Sequence, residues 1–383
     1  MELIYLDHNA TTPIAPAAKL AAMRFLESDF GNPSSTHAKG RAAKAAVDEA
    51  RAAVADLLGA TTSEIIFTAS ATESNNLALM GAAAMVPAER RHLIVSAIEH
   101  PAVMEPALAL QRQGWQLSVA PVDRHGRVDV QALRSLLRPD TAIVSVMHAN
   151  NELGTLQPIE AMAPLVHAVG ALLHVDAAQS VGKVPVDVNT LGADLLTVAG
   201  HKMYVPKGIG ALYVREGTRL AGLLYGAGQE RGLRPGTENV PYIAAMGAGA
   251  QYVRARMQES ASRVAELRDA LEQRLLDAIP GSVVNGYPQH RLPNTLHMSL
   301  PSGDARAMVA ALSEQVALSP GAACHADGHS TVSGVMRAIG ATAQQARGAI
   351  RISLGYDTTA AQIEQAAALI VLAFERLYIH ADG

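Results

Sequence analysis

Six short runs rich in β-branched and apolar residues alternate with longer stretches of helical periodicity. The runs are Glu64–Thr68, His92–Ile98, Ala142–Met147, Leu172–Asp176, Asp194–Val198 and Gly210–Val214. Strands buried on both faces read as near-continuous apolar runs, and their alternation with helices is the mark of an α/β fold with a largely parallel sheet. Residues 38–58 are the clearest helix, with alanine and charge at helical spacing and a stop at Gly59. A second helical stretch starts at about Glu73, after the turn Ala69-Ser70-Ala71. Further on, Arg256–Leu276 reads as a long polar helix connecting to a second lobe, roughly 281–383. That lobe mixes short strands (Thr295–Leu300, Ile350–Leu354) with helices. The 383 residues suffice for one large and one small lobe. No internal repeat or low-complexity linker interrupts them.

Charge and cysteine usage narrow the partners. A net charge of −4 argues against nucleic acid. The single cysteine excludes an intramolecular disulfide and suits a reducing, cytoplasmic setting. Met1–Asp7 shows no basic segment leading into an apolar one, so no secretory signal is expected. Apolar stretches such as Ala360–Leu372 carry polar residues at helical spacing, so no membrane span is expected. No metal site is expected either.

In open α/β sheets ligands bind outside the carboxyl ends of the strands. His100, Asn151, Asp176 and the pair His201-Lys202 all fall just past predicted strand ends. An Asp at one strand end and a His-Lys pair at another suit pyridoxal phosphate (PLP), and so amino-acid chemistry. There Lys202 makes a Schiff base and Asp176 keeps the pyridine nitrogen protonated, so that the ring acts as an electron sink. Partial burial would give Lys202 the depressed pKa that this chemistry needs; otherwise it is a surface lysine before a turn. Asp176 could instead cap the next helix. Gln179, one turn on, could reach a phenolic oxygen or face solvent. His100, before Pro101, could stack on the ring and serve as acid or base, or be structural. Thr72 at a helix start could cradle a phosphate or act as an ordinary N-cap. Arg351, inside the apolar run Ile350–Leu354, needs a partner: a substrate carboxylate, with Asn151 assisting, or a structural salt bridge. Cys324 lies in the loop Ser319–Ser330, among small and polar residues. His325 and His329 would favour its thiolate and a nucleophilic role; the alternative is an inert, buried cysteine.

Several further motifs occur in order. They are Tyr5-Leu6-Asp7-His8-Asn9-Ala10-Thr11-Thr12-Pro13, Gly31-Asn32-Pro33-Ser34-Ser35, Ala71-Thr72-Glu73-Ser74-Asn75-Asn76 and Asn150-Asn151-Glu152-Leu153-Gly154. They continue with Asp176-Ala177-Ala178-Gln179, Gly200-His201-Lys202, Arg234-Pro235-Gly236-Thr237-Glu238-Asn239 and Gly321-Ala322-Ala323-Cys324. Over nearly the whole chain this pattern resembles the cysteine desulfurase and selenocysteine lyase family, PLP enzymes of the class V aminotransferase group. The resemblance implies a PLP-dependent transferase fold of type I. Residues 14–255 would form a large lobe with a mostly parallel seven-stranded sheet. Residues 1–13 and 256–383 would form a smaller α+β lobe carrying the Cys loop. Lys202 would carry the Schiff base, Asp176 pair with the pyridine nitrogen, Gln179 contact the phenolic oxygen and His100 stack on the ring. Thr72 and His201 would hold the phosphate, and Thr237 would reach the phosphate of the neighbouring subunit in a homodimer. Asn151 and Arg351 would bind the substrate carboxylate, and Cys324 would attack the substrate sulfur.

The implied reaction converts L-cysteine to L-alanine and leaves a persulfide on Cys324 for a sulfur-acceptor protein. Departures from the family pattern are Ala199 for a common Ser, Ser70 and Val205 for Gly, and Tyr356 for a common Arg. The Cys loop is similar to that of selenocysteine lyases, which makes release of selenium from L-selenocysteine the nearest rival. A PLP aminotransferase and a non-catalytic partner protein are the others. The sequence ends at Gly383, soon after the last helical stretch, so the resemblance does not extend to the longer tail with which housekeeping members dock an iron–sulfur scaffold.

Overall fold

The computed structural model describes residues 2–321 and 333–378. Seven strands form one sheet: β1 (Ile65–Thr68), β2 (His92–Ser96), β3 (Gln116–Ala120), β4 (Thr141–Ser145), β5 (Leu172–Asp176), β6 (Leu195–Ala199) and β7 (Gly210–Val214). Their order is β1-β7-β6-β5-β4-β2-β3. Strand β7 runs antiparallel to both its neighbours, and all other pairs are parallel. Six strands stand where the apolar runs predict them. The seventh, β3, lies at the sheet edge, where Gln116 and Val119 are exposed. An edge strand needs little apolar content, so Gln-Leu-Ser-Val-Ala carries a weak signal.

Three boundaries differ from the expectation. Glu64 does not begin β1. It closes a short 3-10 turn, where its carboxylate accepts the Thr61 amide at 2.9 Å. The next helix, Ala71–Ala83, starts earlier than Glu73. Its cap is Ser70, whose Oγ accepts the Glu73 amide at 3.2 Å, so the N-cap reading of Thr72 is incorrect. The connector helix runs Val240–Ala278, 39 residues, and begins well before Arg256. Asn239 caps it by accepting the Tyr242 amide. The glycines of Gly247-Ala248-Gly249 hide this first half from propensity.

Those glycines are there for contact. A Cβ on Gly249 would lie 2.2 Å from Val205 Cγ2. Gly249→Ala should therefore lose about 1–3 kcal/mol by overpacking. In urea unfolding the loss should shrink in a Val205→Ala background, because the colliding methyls are gone. An equal loss in both backgrounds would disprove the contact.

The long helix contributes to two cores. Ile243, Met246, Ala250 and Val253 pack with the large sheet and its helices. Val264, Leu271 and Leu275 pack with Ile4, Leu6, Leu296, Ile350 and Phe374. In the second core Ala349–Ser353 lies between Thr295–Ser299 and Ser319–Pro320 in a four-stranded antiparallel sheet, with Val283–Asn285 outermost. The chain start reaches this region: Ile4–Tyr5 pairs in parallel with Val316–Ala317, and Asp7 bridges Ser353. Among the described residues no helix is long and apolar enough to cross a membrane.

Candidate active site

A cavity of about 460 Å³ opens at the carboxyl ends of the parallel strands. Ser70, Ala71 and Thr72 follow β1, His100 follows β2, and Asn151 follows β4. Asp176 and Gln179 follow β5, and His201 and Lys202 follow β6. Asn9 from the chain start and Arg351 from the second sheet complete the wall. The cavity thus gathers Thr72, His100, Asn151, Asp176, Gln179, His201, Lys202 and Arg351, which the sequence singled out.

Lys202 ends a one-turn helix, Gly200–Lys202. A Cβ at Gly200 would stand 2.7 Å from the Ile209 carbonyl oxygen, so only glycine lets the turn sit this close to β7. The turn is held by the chain start, since the Thr12 amide and hydroxyl both donate to the His201 carbonyl at 3.0 Å. Burial pushes the Lys202 amine down to about 8; Asp176 opposes this and Arg351 adds to it. Such an amine reaches its neutral, nucleophilic form at mild pH.

Asp176 is buried, and both its oxygens are held. Oδ1 accepts the Ala178 amide at 2.9 Å, and Oδ2 accepts Nδ2 of Asn75 at 2.8 Å. The helix-capping alternative does not hold: Asp176 binds a local amide, but turns follow it, the next helix (Val188–Leu191) is capped by Asp187, and Asp176 lines the cavity. Asn75 received no role from the sequence. Its signal was a polar residue on a helix face continued by Ala78, Leu79 and Ala82, all buried.

At the other helix start, Ser70 caps only the Glu73 amide. The first amides of a helix have no intrahelical partner, so those of Ala71 and Thr72 offer an anion site at the cavity wall. His201 Nδ1 lies 3.2 Å from Thr11 Oγ1. Its pKa is pushed down to about 4 by burial and then by Lys202, Lys207 and Lys183, so the ring is neutral near pH 7. His100 caps helix Pro101–Arg112, with Nδ1 accepting the Ala102 amide at 3.0 Å. That bond places the proton of the neutral ring on Nε2.

Arg351 is buried and makes the structural pair: Nη2 lies 2.7 Å from Asp7 Oδ1 and 3.1 Å from Ser319 Oγ. Nη1 donates to the Asn151 carbonyl at 3.2 Å. Its Nε is buried with no hydrogen-bond partner among the described residues, on a side chain that lines the cavity. Gln179 does not face solvent. Its Nε2 donates to the Asn9 carbonyl at 3.0 Å, and its Oε1 accepts from Lys183 at 2.7 Å.

Two expected residues are not brought to this cavity by the described chain. Thr237 is exposed in the loop before the long helix and does not line the cavity of its own subunit. Cys324 lies outside the described residues. Pro320, four residues before it, lines the cavity, and four residues span at most about 14 Å. Of the departures, Ser70 caps a helix and Ala199 lines the cavity without a hydroxyl. Val205 packs against Gly249, and the Tyr356 hydroxyl donates to the Gly182 carbonyl.

Buried titratable groups predict the pH response of stability. Burial holds His8, His148, His174 and His297 down to about 4, below the ordinary 6.5. They are neutral when folded and take protons when unfolded, so their contribution is full above 6.5 and is lost as pH falls towards 4. Glu99 works in the opposite sense. Burial raises it to about 8, so stability declines as pH rises from 4.5 towards 8. Urea unfolding should show stability falling as pH drops from 6.5 towards 4, by an amount on the order of several kcal/mol. A flat profile from 6.5 to 4 would show that these histidines are already charged in the fold.

Comparison with known proteins places the chain in a family. The family model of class-V aminotransferases matches residues 4–366. Cysteine desulfurase 2 of Trichormus variabilis is 43% identical over 378 residues, 98% of this chain and 94% of that protein. A solved NifS-like protein superposes with a TM-score of 0.92 at 34% identity, covering 98% of this chain and 100% of its own. SspA, solved in complex with cysteine, gives 0.81 at 34% identity over 92% of this chain and 98% of its own. With a cavity built around a lysine of lowered pKa and a buried carboxylate, and a family match over almost its full length, this chain belongs to the class-V aminotransferases.

Proposed function

We infer that the protein is a PLP-dependent cysteine desulfurase, converting L-cysteine to L-alanine with transfer of sulfur to Cys324 and then to an acceptor protein. The observation that carries this is one cavity lined by Lys202, by Asp176 and by the helix start at Ala71 and Thr72. These residues fit PLP: an amine of pKa about 8 for its aldehyde, a fixed carboxylate for its ring nitrogen, and backbone donors with His201 for its phosphate. Thr237, exposed on each subunit, would complete the phosphate site of the partner in a homodimer. When bound, PLP supplies an electron sink for charge that develops at the substrate Cα.

The chain supplies the rest. Arg351 and Asn151, both lining the cavity, bind the substrate carboxylate. Lys202, once its amine is released, takes the Cα proton and can return it. His100 would flank the ring of bound PLP, with the proton of its neutral imidazole on Nε2. The Cys324 thiolate attacks the substrate sulfur. An S–S bond forms, the Cβ–S bond breaks, and its electron pair stays with the carbon frame, which gains protons to become alanine. Sulfur then passes from the persulfide to a thiol acceptor. Residues 14–255 and the remainder, 1–13 with 256–383, act as the two lobes around this site, a division supported by the two cores that meet along the long helix. Sequence composition supports a cytoplasmic setting.

The test is alanine release from L-cysteine and L-selenocysteine, side by side, under reducing anaerobic conditions. Cysteine turnover at a comparable or higher rate is expected. A selenocysteine rate higher by orders of magnitude would make the protein a selenocysteine lyase instead.

A further inference from the structure

Lys183 has no part in the reaction drawn above, yet it is buried, at 7% exposure. Burying an amine is costly unless its hydrogen bonds are met. Here they go to amides rather than to a carboxylate: Nζ lies 2.8 Å from Asn9 Oδ1 and 2.7 Å from Gln179 Oε1. Both amides have their orientation set by these contacts. Asn9 Oδ1 also accepts from Asn294, while its Nδ2 donates to Thr295 Oγ1 at 2.9 Å and to the Asn151 carbonyl at 3.2 Å. Gln179 turns Oε1 to Lys183 and gives one Nε2 hydrogen to the Asn9 carbonyl. A flipped Gln179 would set donor against donor at Lys183 and acceptor against acceptor at Asn9. The second Nε2 hydrogen is left for the cavity, which Gln179 lines.

We propose that Lys183 is a positioning residue that locks the Gln179 amide, so that the site presents an N–H donor to an anionic oxygen on the bound ring. This rests on the PLP reading and adds to it the residue that sets hydrogen-bond polarity at that edge of the cofactor. Burial first, then Lys202 and Arg351, holds Lys183 well below its ordinary pKa, and an anionic oxygen bound nearby would act against that depression.

The test compares wild type, Lys183→Met, Gln179→Met and the double variant. The readouts are the dissociation constant of PLP, by dialysis from the holoenzyme, and the visible absorbance maximum at one pH. Loss of a hydrogen bond to a charged oxygen predicts a roughly ten- to hundredfold weaker PLP affinity in each single variant, with a shifted maximum. Because one residue acts through the other, the double variant should match the weaker single one within about twofold. Wild-type affinity and maximum in Lys183→Met, or losses that multiply, would overturn the proposal and leave the PLP reading standing. A wild type that takes up no PLP would overturn both. Should Lys183→Met fail to fold, Gln179→Glu decides. It keeps the Lys183 contact but exchanges the donor for an acceptor, so PLP affinity should fall further than in Gln179→Met, and wild-type affinity would refute the lock.

Discussion

Lys202→Ala should yield a folded protein that lacks the visible Schiff-base absorbance when PLP is added and releases no alanine from cysteine. The variant removes the amine that would anchor the cofactor and also the base that would move the Cα proton. Positioned proton transfer alone is commonly worth about 10²–10⁴-fold. With anchoring added, turnover should fall at least about a thousandfold. Folding should survive, because the lost group is a partly desolvated amine whose ionisation burial already disfavours. Absorbance spectra of the PLP-loaded variant, with a thermal unfolding scan beside them, check both statements. A persistent Schiff-base band would move the attachment point to another lysine, and Lys183, which shares a small adjoining cavity with Lys202, would be the first to examine.

Cys324→Ala separates sulfur chemistry from cofactor chemistry. It leaves every residue placed at the PLP site unchanged, so the absorbance of the loaded protein should match wild type. Alanine release from L-cysteine should nonetheless drop at least about a hundredfold, with no persulfide labelled on the protein. The two results together are the signature of a nucleophile that acts after the cofactor is engaged. Desulfuration at the wild-type rate would sink the persulfide route and leave an aminotransferase-like reading of the site.

Much of this site was legible in the sequence because parallel sheets deliver ligand-binding residues at strand ends. Lys202, Asp176, His100 and Asn151 could be placed from the ends of apolar runs alone. Asn75 and Lys183 could not, because a polar residue on a helix or in a turn is usually solvated, and only packing shows that these two are buried. The Asp7–Arg351 pair spans 344 positions of sequence, and no local pattern announces it. Arg351 was expected to bind either a carboxylate ligand or a structural partner; its Nη2 takes the structural partner, Asp7, while the residue also lines the cavity. Among the strands, the concealed one was β3, whose edge position relaxes the demand for apolar residues. The start of helix Ala71–Ala83 was misplaced because Ser70, Thr72 and Glu73 together allow more than one capping register.

The chain start bears on how the molecule is made. Asn9 donates its amide to Ser353 Oγ, Leu6 exchanges backbone bonds with the strands near 317 and 353, and Asn9 orders Gln179 and Lys183. During synthesis these first residues leave the ribosome earliest, but their partners are translated almost last. The seven-stranded sheet can assemble on the nascent chain while residues 4–12 wait, and closing so long a loop comes late. The part of the cavity wall formed by Asn9 and Arg351 is therefore completed only when the polypeptide is nearly finished, after the sheet that carries Lys202 and Asp176 has formed.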